Sequence, residues 1–289
     1  MDIPRPDIKA KKTQLRRVLF GTGLVVIFAG AAVLLRRMET QPHRQYVTLT
    51  HDARVTHALV LFPKLRGKAS VVVLVHEVYG LTDWAKDMAD ELANEGFIVI
   101  APDFLSGDGP HGGGFDDFSS VGNRVSAVQN LSSDVVFEDM GAAVDYGKKL
   151  PNANGKIAIV GFSWGGWKSF AFATHRKDLS AVFVFYGTGP DDVATITAPV
   201  YGFYGGADGA VSGGVPATAD EMKAAGKFYE PVTYRGADHG FMRLAGEFLN
   251  TNRDNKTARD EAYERLVKLL WQMGSAPAGQ PQTAPHLGK

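Results

Sequence analysis

The segment SVVVLV (70–75) is the strongest constraint on the fold, because a strand that is apolar at successive positions must be buried on both faces of a sheet. Further short apolar runs follow at 97–101, 156–160, 181–185, 200–204 and 230–234, separated by stretches with helical periodicity. That alternation predicts an α/β protein with a mostly parallel central sheet and helices on both faces. Two earlier runs, 46–50 and 58–61, read as opening antiparallel strands.

Helices are expected from Thr82 or Asp83 to Glu95-Gly96, from Ser132-Ser133-Asp134 to Pro151, near 218–225, and over 258–273. In the last of these, Ala262, Leu266, Leu269 and Met273 form the buried stripe. The connection 105–131, rich in Gly and Asp, reads as a long loop of the kind that carries function. A single catalytic domain over residues 41–273 accounts for the pattern.

The flanks differ from it. Val18–Leu35 is an uncharged apolar run between Arg16-Arg17 and Arg36-Arg37. Its length is near the short end of the roughly 17–25 residues that a membrane-spanning helix needs. The basic excess upstream predicts a cytoplasmic N-terminus, with residues 1–40 anchoring a domain outside the cytoplasm. Two alternatives stay open: a signal cleaved after Ala29-Gly30-Ala31, giving a secreted or periplasmic protein, or a helix within the core. Residues 274–289 (GSAPAGQPQTAPHLGK) read as a disordered tail.

With 31 basic and 31 acidic residues, the chain carries no charge excess pointing to nucleic acid. It has no cysteine, which excludes disulfides, thiolate metal sites and a cysteine nucleophile. Gly161-Phe162-Ser163-Trp164-Gly165 fits G-x-S-x-G, a weak match in a chain with 33 glycines. Its context is specific: a strand before it and a helix after it make a nucleophile elbow, as in α/β-hydrolases. The acid and base of such sites follow in that order, each past a strand end. Here they are Asp208 in GGAD (205–208) and His239 in GADHG (236–240). Each alone would be an ordinary loop residue; together they predict a Ser163–His239–Asp208 triad.

The oxyanion donors expected from this geometry are the backbone N–H groups of Trp164 and of Val78, in the loop after 70–75. His111-Gly112-Gly113-Gly114 spells a lipase oxyanion motif but follows the wrong strand. Asp238 is expected to serve the turn rather than the histidine ring.

Five blocks in order then make the chain resemble the dienelactone hydrolase family of α/β-hydrolases: 71–81, 83–104, 155–166, 199–208 and 236–241. The resemblance implies that Glu77 is the acidic residue after the third strand, and that Arg243 holds a substrate carboxylate. It also implies a departure, because the family's name-giving members use cysteine where this chain has Ser163. The expectation is a serine hydrolase cleaving small carboxylic esters or lactones through an acyl-Ser163 intermediate, with no metal and no cofactor. Trp164, Tyr79 and Phe241 are expected to line its pocket. An exopeptidase or acyltransferase, or a non-catalytic anchored binding module, are the alternatives.

Overall fold

The computed structural model describes residues 42–51, 54–64 and 67–275. The apolar run 18–35 and the tail beyond Ser275 lie outside the described residues. Among the described residues no helix is long and apolar enough to cross a membrane.

Eight strands form one sheet: β1 (His43–His51), β2 (Arg54–Phe62), β3 (Ala69–Val75), β4 (Ile98–Pro102), β5 (Ala153–Phe162), β6 (Ala181–Phe185), β7 (Val200–Gly205) and β8 (Tyr229–Tyr234). Their spatial order is β1-β2-β4-β3-β5-β6-β7-β8. β1 and β2 pair antiparallel, as do β2 and β4, and the remaining neighbours run parallel.

The helices are α1 (Asp83–Asn94), α2 (Val121–Asn130), α3 (Ser133–Lys149), α4 (Trp164–His175), α5 (Gly209–Ser212), α6 (Val215–Ala224), α7 (Phe241–Leu244) and α8 (Arg253–Ser275). Capping sets several of their starts: Thr82, Ser120 and Ser132 each stand at an N-cap and accept a backbone N–H three residues on. At the end of α1 the chain reverses through Gly96, whose φ of +100° suits glycine.

The double burial of β3 is visible in how its residues divide. Val72 and Leu74 face a core with Met88 and Leu92 of α1 and Leu266 and Leu270 of α8. Val71, Val73 and Val75 face a second core with Met140 and Val144 of α3 and Phe170 of α4. All five β3 residues are fully buried. Each such side chain contributes roughly 1.5–3 kcal/mol relative to exposure. Two layers of helix therefore hold the sheet rigid, and its carboxyl edge becomes a fixed platform.

Two expectations change here. The connection 105–131 contains a 3-10 turn (Phe115–Asp117) and the helix α2. Val128 is the one buried side chain of α2, so the segment lacks the periodic apolar stripe by which a helix is read. The last helix also runs two residues beyond Met273, into the segment read as tail.

Candidate active site

The site is assembled where parallel strands end. β5 delivers Ser163 into a turn with φ 54° and ψ −115°, a conformation that a non-glycine residue holds only when its surroundings enforce it. The enforcement is visible at Gly165, where a Cβ would lie 2.4 Å from the carbonyl oxygens of Val75 and His76. Only glycine lets the first turn of α4 press against the end of β3 so closely. The contact brings Trp164 beside the loop His76-Glu77-Val78, which carries the other expected oxyanion donor.

Ser163 Oγ lies 2.8 Å from His239 Nε2. On the other side of the ring, His239 Nδ1–H donates to Asp208 Oδ2 at 2.6 Å. Asp208 stands just past β7 and is only 7 % exposed, whereas the His239 side chain remains 45 % exposed toward an incoming substrate. The three residues are thus brought together in the order serine, imidazole, carboxylate. Asp238 turns away and accepts the side-chain N–H groups of Asn252 and Asn255, both at 2.9 Å.

Glu77 is buried at 3 % exposure, yet it does not bond Ser163. Its Oε2 accepts from Arg243 Nε at 2.8 Å, and its Oε1 from the Tyr186 hydroxyl at 3.1 Å. Burial pushes the Glu77 carboxyl above its usual range, with the Arg243 charge pulling the other way. Arg243 also pairs with Glu247 and packs over the Tyr79 ring, 4.8 Å from its centroid. The guanidinium expected to meet a substrate carboxylate is therefore already held by two of the protein's own carboxylates.

Phe241, expected from the sequence at the pocket, lies in the core. It is fully buried, with its ring 5.3 Å from that of Tyr186 and 5.4 Å from that of Tyr234, so it supports the site from behind. His111-Gly112-Gly113-Gly114 is folded on Asp117, which accepts the His111 and Gly113 N–H groups at 2.7 and 3.0 Å and bonds the His111 ring. Among the described residues no group of three or more His, Cys, Asp or Glu could hold a metal ion.

Tyr186 is the residue that motif reading passes over. It follows β6 directly, with φ 39°, and its ring meets that of His239 edge-on at 5.2 Å. Burial pushes its phenol well up, so the hydroxyl stays protonated and donates to Glu77. Its position one residue past an apolar run, at the sheet's carboxyl edge, was the available signal.

The family model described as the dienelactone hydrolase family matches residues 56–274. The chain belongs to the dienelactone hydrolase family. It is 30 % identical over 271 residues to a protein of Methylorubrum extorquens assigned as a carboxymethylenebutenolidase, covering 81 % of this chain and 87 % of the other. A structure assigned as a dienelactone hydrolase from Klebsiella pneumoniae superposes with a TM-score of 0.69 at 21 % identity, over 80 % of this chain and 99 % of that one. A dienelactone hydrolase-like promiscuous phosphotriesterase from metagenomic libraries gives 0.68 at 22 %, over 81 % and 99 %. These two likenesses show the α/β-hydrolase fold. As a dienelactone hydrolase-type protein, the chain is a carboxylic ester hydrolase.

Proposed function

We propose that the chain hydrolyses small carboxylic esters or lactones through an acyl-Ser163 intermediate. The observation that carries this reading is the continuous hydrogen-bond line Ser163 Oγ, His239, Asp208 at 2.8 and 2.6 Å. A serine hydroxyl is too weakly acidic to attack an ester unaided, and the imidazole supplies the base it needs. As Oγ bonds to the acyl carbon, its proton passes to His239 Nε2, and Asp208 stabilises the resulting imidazolium. The carbonyl oxygen takes up the negative charge and is met by the N–H groups of Val78 and Trp164. His239 then returns the proton to the leaving alkoxide. A water molecule, deprotonated by the same imidazole, attacks the acyl-serine; as the C–O bond breaks, His239 passes that proton to the departing Ser163 Oγ and the acid is released.

Glu77 has a different part in this scheme from that of a nucleophile's partner. A serine is not carried as a stable anion, so the buried glutamate orders the loop of Val78 through Arg243 and Tyr186. Tyr79, half-buried beneath Arg243, and Trp164 form the apolar side of the acyl pocket. The apolar run 18–35 anchors the chain to a membrane with the catalytic domain outside the cytoplasm.

Labelling of the purified full chain with a fluorophosphonate probe tests the reading. Wild type is expected to take up one equivalent at Ser163 and to turn over p-nitrophenyl esters, while Ser163→Ala does neither. An unlabelled wild-type protein would overturn it. Faster turnover with added alcohol or amine acceptors than with water would favour an acyltransferase on the same site. Recovery of the full chain in carbonate-washed membranes tests the anchor, and release into the wash would refute it.

A further inference from the structure

Lys168 is an unusual lysine. It lies on α4, one turn beyond Trp164, and is only 3 % exposed. Buried lysines are ordinarily paired with carboxylates. Lys168 has none: among the described residues its hydrogen-bond partner is the Ser133 hydroxyl, which accepts from Nζ at 2.8 Å. Its ammonium lies instead over two indoles, 4.0 Å from the Trp167 ring centroid and 5.8 Å from that of Trp164. Rings of this kind attract a cation through their negative faces, most strongly where water is excluded. Burial accordingly lowers the lysine's pKa, with no carboxylate to oppose the shift.

A methionine or leucine would fill this space without the cost of desolvating an ammonium, so packing alone does not account for the charge. The charge lies nearest the Trp167 ring and, at 5.8 Å, also reaches the Trp164 side chain. Positions 164 and 168 are four residues apart on one helix and therefore share a face. The Trp164 ring is held elsewhere by His76, which stacks on it at 5.7 Å with an interplanar angle of 17°, and by Phe104 edge-on at 5.9 Å. His76 is itself fixed, its Nδ1–H donating to the Glu77 carbonyl at 2.7 Å, and burial keeps its ring neutral. Trp164 is thus clamped from the oxyanion loop by His76 and from its own helix by Lys168, immediately after the strained Ser163.

We propose that Lys168 is a positioning residue for ester hydrolysis: held by Ser133 against the Trp164 indole, its ammonium fixes the residue whose N–H group meets the oxyanion. This rests on the acyl-serine reading above. It acts through Trp164 and touches neither substrate nor Ser163, so its loss weakens transition-state stabilisation at the Trp164 N–H more than it weakens substrate binding.

The test compares the full chain with Lys168→Met, Lys168→Arg and Ser133→Ala, using p-nitrophenyl acetate kinetics, fluorophosphonate titration of competent sites, and thermal melts. Lys168→Met is expected to lower kcat about tenfold, the scale of a small misplacement of catalytic groups, with a much smaller change in KM and the number of titrated sites unchanged. Lys168→Arg, which keeps a cation on the rings, restores most of kcat, and Ser133→Ala falls between. A kcat for Lys168→Met equal to wild type would overturn the proposal. So would a loss of kcat that tracks Tm in both lysine variants, which marks a structural role. If wild type itself is not labelled at Ser163, the acyl-serine reading fails; if it is labelled and Lys168→Met turns over normally, only the role of Lys168 fails.

Discussion

Among the described residues, the Asp–His pairs at Asp208 and Asp139 are of nearly equal length, and they do opposite things. His239 donates to Asp208 at 2.6 Å, and His51 Nε2 donates to Asp139 at 2.7 Å. A hydroxyl is present in both places. In the first, Ser163 bonds the free nitrogen of the histidine, so a proton has a path from hydroxyl to imidazole. In the second, Thr56 bonds Asp139 directly, and Arg54 Nε lies 3.2 Å from each of that carboxylate's oxygens. His51 Nδ1 is left buried without a hydrogen-bond partner. The same three groups arranged around the carboxylate make a clasp between the β1–β2 hairpin and α3; arranged in line through the imidazole they make a relay. Connectivity, not content, separates catalysis from stability.

That contrast breaks if the two aspartates behave alike. Asp208→Asn is expected to lower kcat about 10⁴-fold by presenting the wrong histidine tautomer, with the denaturation midpoint close to wild type. Asp139→Ala leaves Thr56 and the half-buried His51 ring without their shared carboxylate, with Arg54 keeping its pair to Asp108, and is expected to cost about 1–3 kcal/mol in chemical denaturation. The kcat of its folded fraction, measured per fluorophosphonate-titrated site, should match wild type. A large kcat loss in Asp139→Ala would join the two clusters functionally. Gly165→Ala sharpens the comparison from the backbone side. The added methyl meets two carbonyl oxygens and is expected to destabilise by about 1–3 kcal/mol, with slower labelling of Ser163.

The smallest effect concerns Glu77. Its folded pKa is raised by burial above the ordinary value of 4.5. Its contribution to stability is therefore full below about 4.5 and is lost as pH climbs through the raised value. Glu77→Gln removes this titration, so melts taken from pH 4 upward should show a shallower decline than wild type. An unchanged decline would mean that Arg243 compensates the burial in full.

Much of this was legible in the residues, for identifiable reasons. β3, β4, β6 and β7 are buried on both faces, so their sequences are apolar throughout and cannot be mistaken for amphipathic helix. Ser163, Asp208 and His239 were readable as candidates because each follows a parallel strand, β5, β7 and β8 in turn, and strand ends are where parallel sheets collect functional groups. α2 escaped because its face is mostly solvent, and α5 and α7 because four residues carry no period. Phe241 looked like a pocket wall beside His239, whereas its chain turns through Gly240 at φ 76° and sends the ring into the core. Tyr186 and Lys168 have no motif. A tyrosine after a strand and a lysine on a helix become significant only when folding sets one against Glu77 and the other against two indoles.

The tie between the His239 loop and α8 has a consequence for how the enzyme comes into being. His239 lies 76 residues after Ser163, and its neighbour Asp238 is held by Asn255, whose side chain is fully buried. A nascent chain leaving the ribosome therefore exposes its serine long before the groups that activate it. Once His239 emerges, its loop is tied to the end of β7 by the Ala207 N–H on the Ala237 carbonyl, and it gains its remaining ties when residues 252 and 255 fold against it. On the proposed scheme, the site is complete only once α8 has docked against that loop.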